Sequence, residues 1–313
     1  MQPEPLVGAE PLVQAEAFRC ADSAEARDEP LYGTASFVRR WLLVEQPGAW
    51  GANALLESRM PRAVATELHK SAGAVGARVI LLRRGARMSQ DRRHVYFLRT
   101  ERGRMYKAEL SLDKIDDLLD IDLSPLRKGG EIPEATTNEE PLFLVCTHGR
   151  HDACCSIRGN LVSRIACAQE GYDTWECSHI GGDRFAANVV CFPHGIYYGR
   201  VGPRGILSVM HAYRNGRLSL DHFRGRCSNS FPVQAAEYFL RRQTGMDMID
   251  GPALQRVTGG AEGVSTLFAL ADGRHAEVVV RVSLGEKHRL TCNSSGPASI
   301  PLYELVSCSL SSA

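Results

Sequence analysis

Two short stretches hold most of the residues that could do chemistry in this 313-residue chain. The first is Cys146-Thr-His-Gly-Arg-His-Asp-Ala-Cys154-Cys155, in which Cys146 and Cys155 flank eight residues. A thiolate is a good iron ligand, and a loop between a strand and a helix lets two of them converge on one centre. Cys155 falls at the start of the following helix, where the dipole and free N–H groups favour a thiolate or an anionic cluster. The second stretch is Cys177-Ser-His179-Ile-Gly181-Gly182-Asp183, which gathers sulfur, nitrogen and oxygen donors in one loop. Gly181 and Gly182 permit unusual backbone angles and a close approach of main chain to a bound group. Their N–H groups are candidates to bond cluster sulfides, and His148 and His151 are candidates for the same role or ordinary loop histidines.

The chain has ten cysteines. Cys146, Cys154, Cys155, Cys167, Cys177 and Cys191 lie close together in sequence, and Cys20, Cys227, Cys292 and Cys308 are scattered. Residues 1–17 lack the basic and apolar regions of a secretory signal, so the expected compartment is the cytoplasm, where disulfides are rare. Clustered cysteines there point to metal or redox chemistry. For Cys20, Cys167, Cys227, Cys292 and Cys308 the preferred reading is a small buried hydrophobe. Hydrophobic residues at 44%, charged residues at 23% and a formal net charge of +1 fit a globular protein. They argue against a general nucleic-acid or membrane binder, and no apolar run approaches the ~18 residues that span a bilayer. There is no GxGxxG or Walker motif, no H-E-x-x-H and no G-x-S-x-G. Eight arginines between Arg83 and Arg104 suggest the solvated face of a hairpin, with docking of an acidic redox partner as the sharper alternative.

These residues need elements to position them. Pro141–Val145 reads as a short strand ahead of the first loop. Ile157, Leu161 and Ile165 at four-residue spacing make Ser156–Gln169 a helix. Asp173–Cys177 reads as a strand, Asn188–Phe192 and Ile196–Val201 as a hairpin around Pro193-His194-Gly195, and Gly205–Tyr213 as a closing helix. That order, β-α-β-loop-β-β-α, is that of a thioredoxin-like layer. Upstream, strands are expected at Phe37–Glu45, Arg78–Leu82 and His94–Arg99, with helices at Pro61–Ser71 and Ser111–Leu119. Downstream come a helix at Pro232–Thr244 with Ser230 as N-cap, a hairpin at Phe268–Val282 turning at Asp272-Gly273, and a strand at Leu302–Val306. The fold class is mixed α/β (α+β). A flexible tail (1–17) precedes an N-terminal α/β domain (18–123) that could itself be thioredoxin-like. A linker (124–140), the thioredoxin-like segment (141–214) and a small α+β C-terminal domain (215–313) follow. No sequence repeat stands out.

CTHGRHDACC, followed by SHIGGDRFAANVV and YYGRV, resembles the sucrase/ferredoxin-like family of thioredoxin-like ferredoxins. Leu31–Ser36, Trp41–Gly51, Arg224–Arg226 and Val233–Glu237 extend the resemblance over most of the chain from about Cys20. It implies a [2Fe-2S] cluster held between a C-x8-C loop, matched by Cys146 and Cys155, and an H-x3-H loop. His179 matches the first of those histidines, and Asp183 stands where the second would be. Asp183 and Cys177 are ranked equal as the fourth ligand, with Cys154 and Cys191 as further possibilities. A histidine ligand lowers the negative charge on such a cluster and raises its potential. The resemblance thus implies an intracellular electron carrier served by a reductase and an acceptor, rather than a stand-alone enzyme. No pair of carboxylates sits in a sugar-hydrolase context, so sucrase activity is not expected. The rival readings are a thioredoxin-type thiol-redox enzyme using Cys154 and Cys155, although the chain has no C-x-x-C, a structural zinc site, and a cluster-less interaction module.

Overall fold

The computed structural model describes residues 17–84, 92–101, 105–261 and 263–311. The chain is a mixed α/β (α+β) protein with a ten-stranded and a four-stranded sheet. After helix α1 (Cys20–Ala26) come β1 (Arg40–Glu45), α2 (Arg62–Ala74), β2 (Ala77–Arg83), β3 (Arg93–Arg99) and β4 (Tyr106–Leu112). A 3₁₀ turn at Ile115–Asp120, the short helix α3 (Ser124–Lys128) and β5 (Thr136–Thr137) close this first half. The second half runs β6 (Leu142–Cys146), α4 (Ala153–Cys167), β7 (Asp173–Cys177), β8 (Val189–Phe192), β9 (Ile196–Tyr198) and α5 (Pro203–Arg214). Then follow β10 (Phe223–Arg226), α6 (Phe231–Thr244), β11 (Ala253–Gly260), β12 (Gly263–Ala269), β13 (His275–His288) and β14 (Ala298–Ser311).

The large sheet has the order β10-β9-β8-β6-β7-β2-β1-β3-β4-β5. β1 lies between parallel β2 and antiparallel β3, and β6 lies between parallel β7 and antiparallel β8. β4 continues the first half from β3 as β9 continues the second from β8. The two halves therefore repeat one topology in mirror order. They meet where β2 and β7 pair antiparallel through Leu82–Cys177 and Arg83–Glu176. An antiparallel seam between mirrored strand orders is the mark of an approximate two-fold axis, and it joins the tips of both strands.

Side-chain alternation along these strands builds two-sided cores. Leu42 and Val44 of β1 pack with Val64 and Leu68 of α2, while Trp41 and Leu43 face a second core shared with Leu142, Leu144 and Trp175 of the other half. β6 is buried on both faces, since Phe143 and Val145 join a third core with Val162, Val209 and Tyr213. That explains its unbroken apolar run. A fourth core sets α6 on β12, β13 and β14 through Leu240, Phe268, Val278 and Tyr303.

Some elements differ from expectation. α4 begins at Ala153, ahead of the expected Ser156, because Asp152 caps it by accepting the Cys154 N–H at 2.9 Å. Ile157 and Leu161 of its apolar stripe are exposed while Ile165 packs on the third core, and the buried face is Cys154, Cys155, Gly159, Val162, Ser163 and Ala166. Small residues let this helix sit close to the sheet. Residues 106–112 form β4, where a helix was expected from Ser111. Within 124–140 lie α3 and β5, the latter pairing with β4. β10 and β11 were not anticipated. Of the arginine run, Arg83 pairs with Glu176, Arg84 with Asp173 and Arg92 with Asp113, and Arg99 donates to the Pro125 carbonyl. Arg87, Arg102 and Arg104 lie outside the described residues.

Candidate metal centre

Parallel pairing of β6 with β7 puts Cys146 opposite Cys177 at the ends of both strands. The chain then turns into α4, whose first turn carries Cys155. α4 comes so near β6 that a Cβ on Gly159 would stand 2.1 Å from the Cys146 carbonyl oxygen. Glycine is therefore the residue that lets the helix N-terminus approach the strand end. One ligand atom each from Cys146, Cys155 and His179 lies within 4.8 Å of the others. His151, His179 and Asp183 form a second such group that shares His179.

Asp183 is buried and links the two groups. Its Oδ1 lies 3.2 Å from the Cys155 thiol, which donates to it, and 2.9 Å from Nδ1 of His179. Its Oδ2 lies 4.0 Å from Nε2 of His151. The His151 and His179 rings stack with centroids 3.7 Å apart. His179 Nδ1 is close to the carboxylate but misaligned, and it is a buried nitrogen without a hydrogen-bond partner. A buried polar atom in that state is costly, and a metal among these donors would satisfy it.

The electrostatics favour a thiolate. The thiols of Cys155 and Cys177 beside Cys146, together with His179, outweigh burial and hold it well below the usual thiol range. The neighbouring Cys146 sulfur, together with burial, pushes Cys155 up, and burial foremost pushes Cys177 up. Burial alone would lower His179, but Asp183 and Cys146 raise it to about 9. Soft sulfur donors with an imidazole and a carboxylate suit zinc or an iron–sulfur centre.

The other expected site residues are placed as follows. Cys177 touches Cys146 but belongs to neither donor group. His148 has both ring nitrogens engaged: Nε2 lies 2.7 Å from the Gly51 carbonyl, and Nδ1 accepts the His179 N–H at 3.2 Å. It is a brace between the loop after β1 and the ligand loop, and Trp50 packs edge-on against it. Gly181 and Gly182 have φ of 104° and 82°, but their close neighbours are Ser36 and Arg224. Buried Arg224 donates to the Gly181 carbonyl at 3.0 Å and to Asn188 at 2.7 Å, and Asn188 donates to the Gly182 carbonyl at 2.8 Å. These bonds fix the loop that carries His179 and Asp183.

Cys154 faces away from its neighbour. Its sulfur joins Cys20, Cys292 and Asp152 in a separate group of donors within 4.8 Å of one another. The two adjacent cysteines thus serve different clusters. Neither Cys20 nor Cys292 belongs to any sequence motif, and Asp152 is legible only as a helix cap.

Among the described residues no helix is long and apolar enough to cross a membrane. No solved structure matches the chain. A curated relative is altered inheritance of mitochondria protein 32 of Meyerozyma guilliermondii, 32% identical over 106 residues. The match covers 30% of this chain and 37% of that protein, so the similarity spans well under half of either. The model of the sucrase/ferredoxin-like family matches residues 31–225, which include both ligand loops and both halves of the large sheet. The chain belongs to the sucrase/ferredoxin-like family.

Proposed function

We propose that this protein carries electrons on a [2Fe-2S] cluster held by Cys146, Cys155, His179 and Asp183. The observation that carries the reading is the convergence of Cys146, Cys155 and His179, from a strand end, a helix start and a loop, in a chain of this family. Asp183 is favoured over Cys177 because it contacts both Cys155 and His179. Such a cluster supplies reversible one-electron chemistry. The chain's own residues do the rest. The neighbours of Cys146 favour its thiolate, the first turn of α4 favours the negative charge, and His148 with Arg78 fixes the backbone of His179.

The protein interior covers the cysteines, and the histidine side faces out. A cleft of about 350 Å³ opens there, lined by Asn53, His69, Arg78, His148, His151 and His179. This is where a reductase and an acceptor would dock. All ten cysteines are free, which suits a reducing compartment such as the cytoplasm.

Protein purified without oxygen is expected to contain iron and acid-labile sulfide in equal amounts and to show a reddish visible spectrum. Its potential should lie above that of an all-cysteine ferredoxin. Zinc at Cys146, Cys155 and His179 in place of iron and sulfide would replace this reading with a structural site, which the same donors favour chemically.

A further inference from the structure

We propose a second metal site, separate from the first, in which Cys20, Cys154, Cys292 and Asp152 bind a single zinc-class divalent ion. The four residues come from distant parts of the chain: the first residue of α1, the first turn of α4 with its cap, and the loop between β13 and β14. The Cys154 and Cys292 sulfurs are 3.5 Å apart, and those of Cys292 and Cys20 are 3.7 Å apart. The Cys20 sulfur stands 3.6 Å from each oxygen of Asp152. A tetrahedral zinc with bonds of ~2.3 Å to sulfur and ~2.1 Å to oxygen separates its donors by ~3.8 Å and ~3.6 Å. The cluster therefore has the dimensions of one tetrahedral ion. A disulfide needs sulfurs at ~2.05 Å, and all three are free.

The carboxylate points the same way. Asp152 has no solvent exposure, and among the described residues no basic side chain pairs with it. Its Oδ1 accepts the Cys154 N–H at 2.9 Å and its Oδ2 accepts the Cys292 N–H at 2.7 Å, and the Cys20 thiol is the one further donor to either oxygen. A buried carboxylate facing three thiols without a cation is an expensive arrangement, and an ion that takes up the thiolates resolves it. Three thiolates and one carboxylate favour zinc over the hard cations. The ion would also fasten the β13–β14 loop over the first centre, because Asn293 of that loop donates to the His151 carbonyl at 2.7 Å.

The test is metal content of the full-length protein after exposure to zinc(II) under reducing conditions. Four proteins are compared: the unmodified chain, Cys20→Ser, Cys292→Ser and Cys146→Ser. The expected result is about one zinc per chain in Cys146→Ser, and in the unmodified protein the same zinc beside any ion that the first centre takes up. Its affinity should weaken in Cys20→Ser and Cys292→Ser by more than the ~10–100-fold that loss of an outer-shell partner costs. Absence of zinc from the unmodified protein, zinc indifferent to Cys20 and Cys292, or a native Cys154–Cys292 disulfide that excludes the ion would each overturn the proposal. Should Cys20→Ser and Cys292→Ser not fold, cobalt(II) bound to Cys146→Ser gives the answer, since its charge-transfer absorption counts thiolates. Three support the site, and two or fewer overturn it. No ligand is shared with the first centre, so a protein free of iron would sink the cluster reading and leave this one standing.

Discussion

The two halves of the large sheet share a topology and divide the labour. Each has a central strand, a parallel neighbour reached through a helix, and two antiparallel strands beyond. The second half carries Cys146, Cys155, His179 and Asp183 on the loops after β6 and β7. The first half has no cysteine between Arg40 and Leu142, and its loop after β1 holds neither cysteine nor histidine. That loop instead reaches across the seam and accepts His148 on the Gly51 carbonyl, while Arg78 of β2 donates to the carbonyl of His179 at 2.8 Å. One copy of the topology offers donors and the other braces them. The candidate donors sit at a strand end, a helix start and one loop, and the fold alone would not have located them. The crossover helices show the same division. α2 stands off its sheet on Val64 and Leu68, and α4 lies close on Gly159, Ser163 and Ala166.

The largest effect should come from removing a donor in the second half. Cys146→Ser and Cys155→Ser are each expected to abolish iron binding and colour while far-UV circular dichroism keeps its shape. Retention of a full iron complement in either would break the assignment. A matched pair of glycine changes sharpens the contrast between the helices. Gly159→Ala drives a Cβ against a backbone oxygen that cannot rotate away, so it should cost ~1–3 kcal/mol and displace Cys155. Gly73→Ala in α2 meets nothing within 4 Å and should gain up to ~1 kcal/mol. Thermal melts of the two variants are expected to move in opposite directions, and a shared direction would show that the helices pack alike.

The brace comes next. His148→Ala leaves the Gly51 carbonyl and the His179 N–H without their partner, at a cost of ~1–3 kcal/mol. Metal should still bind but exchange faster, as measured by loss to a chelator over time; an unchanged rate would remove the first half from the site. The smallest effect lies outside both halves. Burial alone would raise the carboxyl of Glu237, but Arg226 and Arg241 outweigh it and hold it below its ordinary value. A depressed folded-state pKa gives stability that is present above the unfolded value of ~4.3 and fades as pH falls through the folded one. Acid melts should therefore lose this contribution only below about pH 4, and Glu237→Gln should flatten that limb.

Much of the site was legible because its ligands lie in motifs. The strand end at Cys146 is readable from an apolar run and that at Cys177 from the short segment Asp173–Cys177, and His179 and Asp183 follow within one loop. The face of α4 was not. Ile157, Leu161 and Ile165 have helical spacing, but close packing on β6 selects small side chains, so Ile157 and Leu161 are turned outward and Ile165 is only half-buried. Periodicity reports that a helix exists and cannot say which stripe a neighbour has room for. Strand β4 was missed because its second part, at Leu110–Leu112, blends into the 3₁₀ turn that follows. Cys20 and Cys292 were assigned as small buried hydrophobes because nothing local distinguishes them. Their meaning depends on a contact across 272 positions of sequence, which no window of residues contains.

The ribbon of β13 and β14 has a consequence for handling the protein. Among the described residues β14 is a sheet edge along its whole length, and beyond Val280 β13 has no partner but β14. Val282, Leu284, Leu305 and Val306 are exposed along this arm, Leu284 at 75%. Arg281, Glu304, Glu286 and Lys287 interrupt them with charge. Such edges invite pairing with another chain, and docking of the tip on Asp152 and His151 restrains them. Release of the tip would therefore announce itself as turbidity at high concentration well before any loss of helix signal, and light scattering is the more sensitive monitor of an intact molecule.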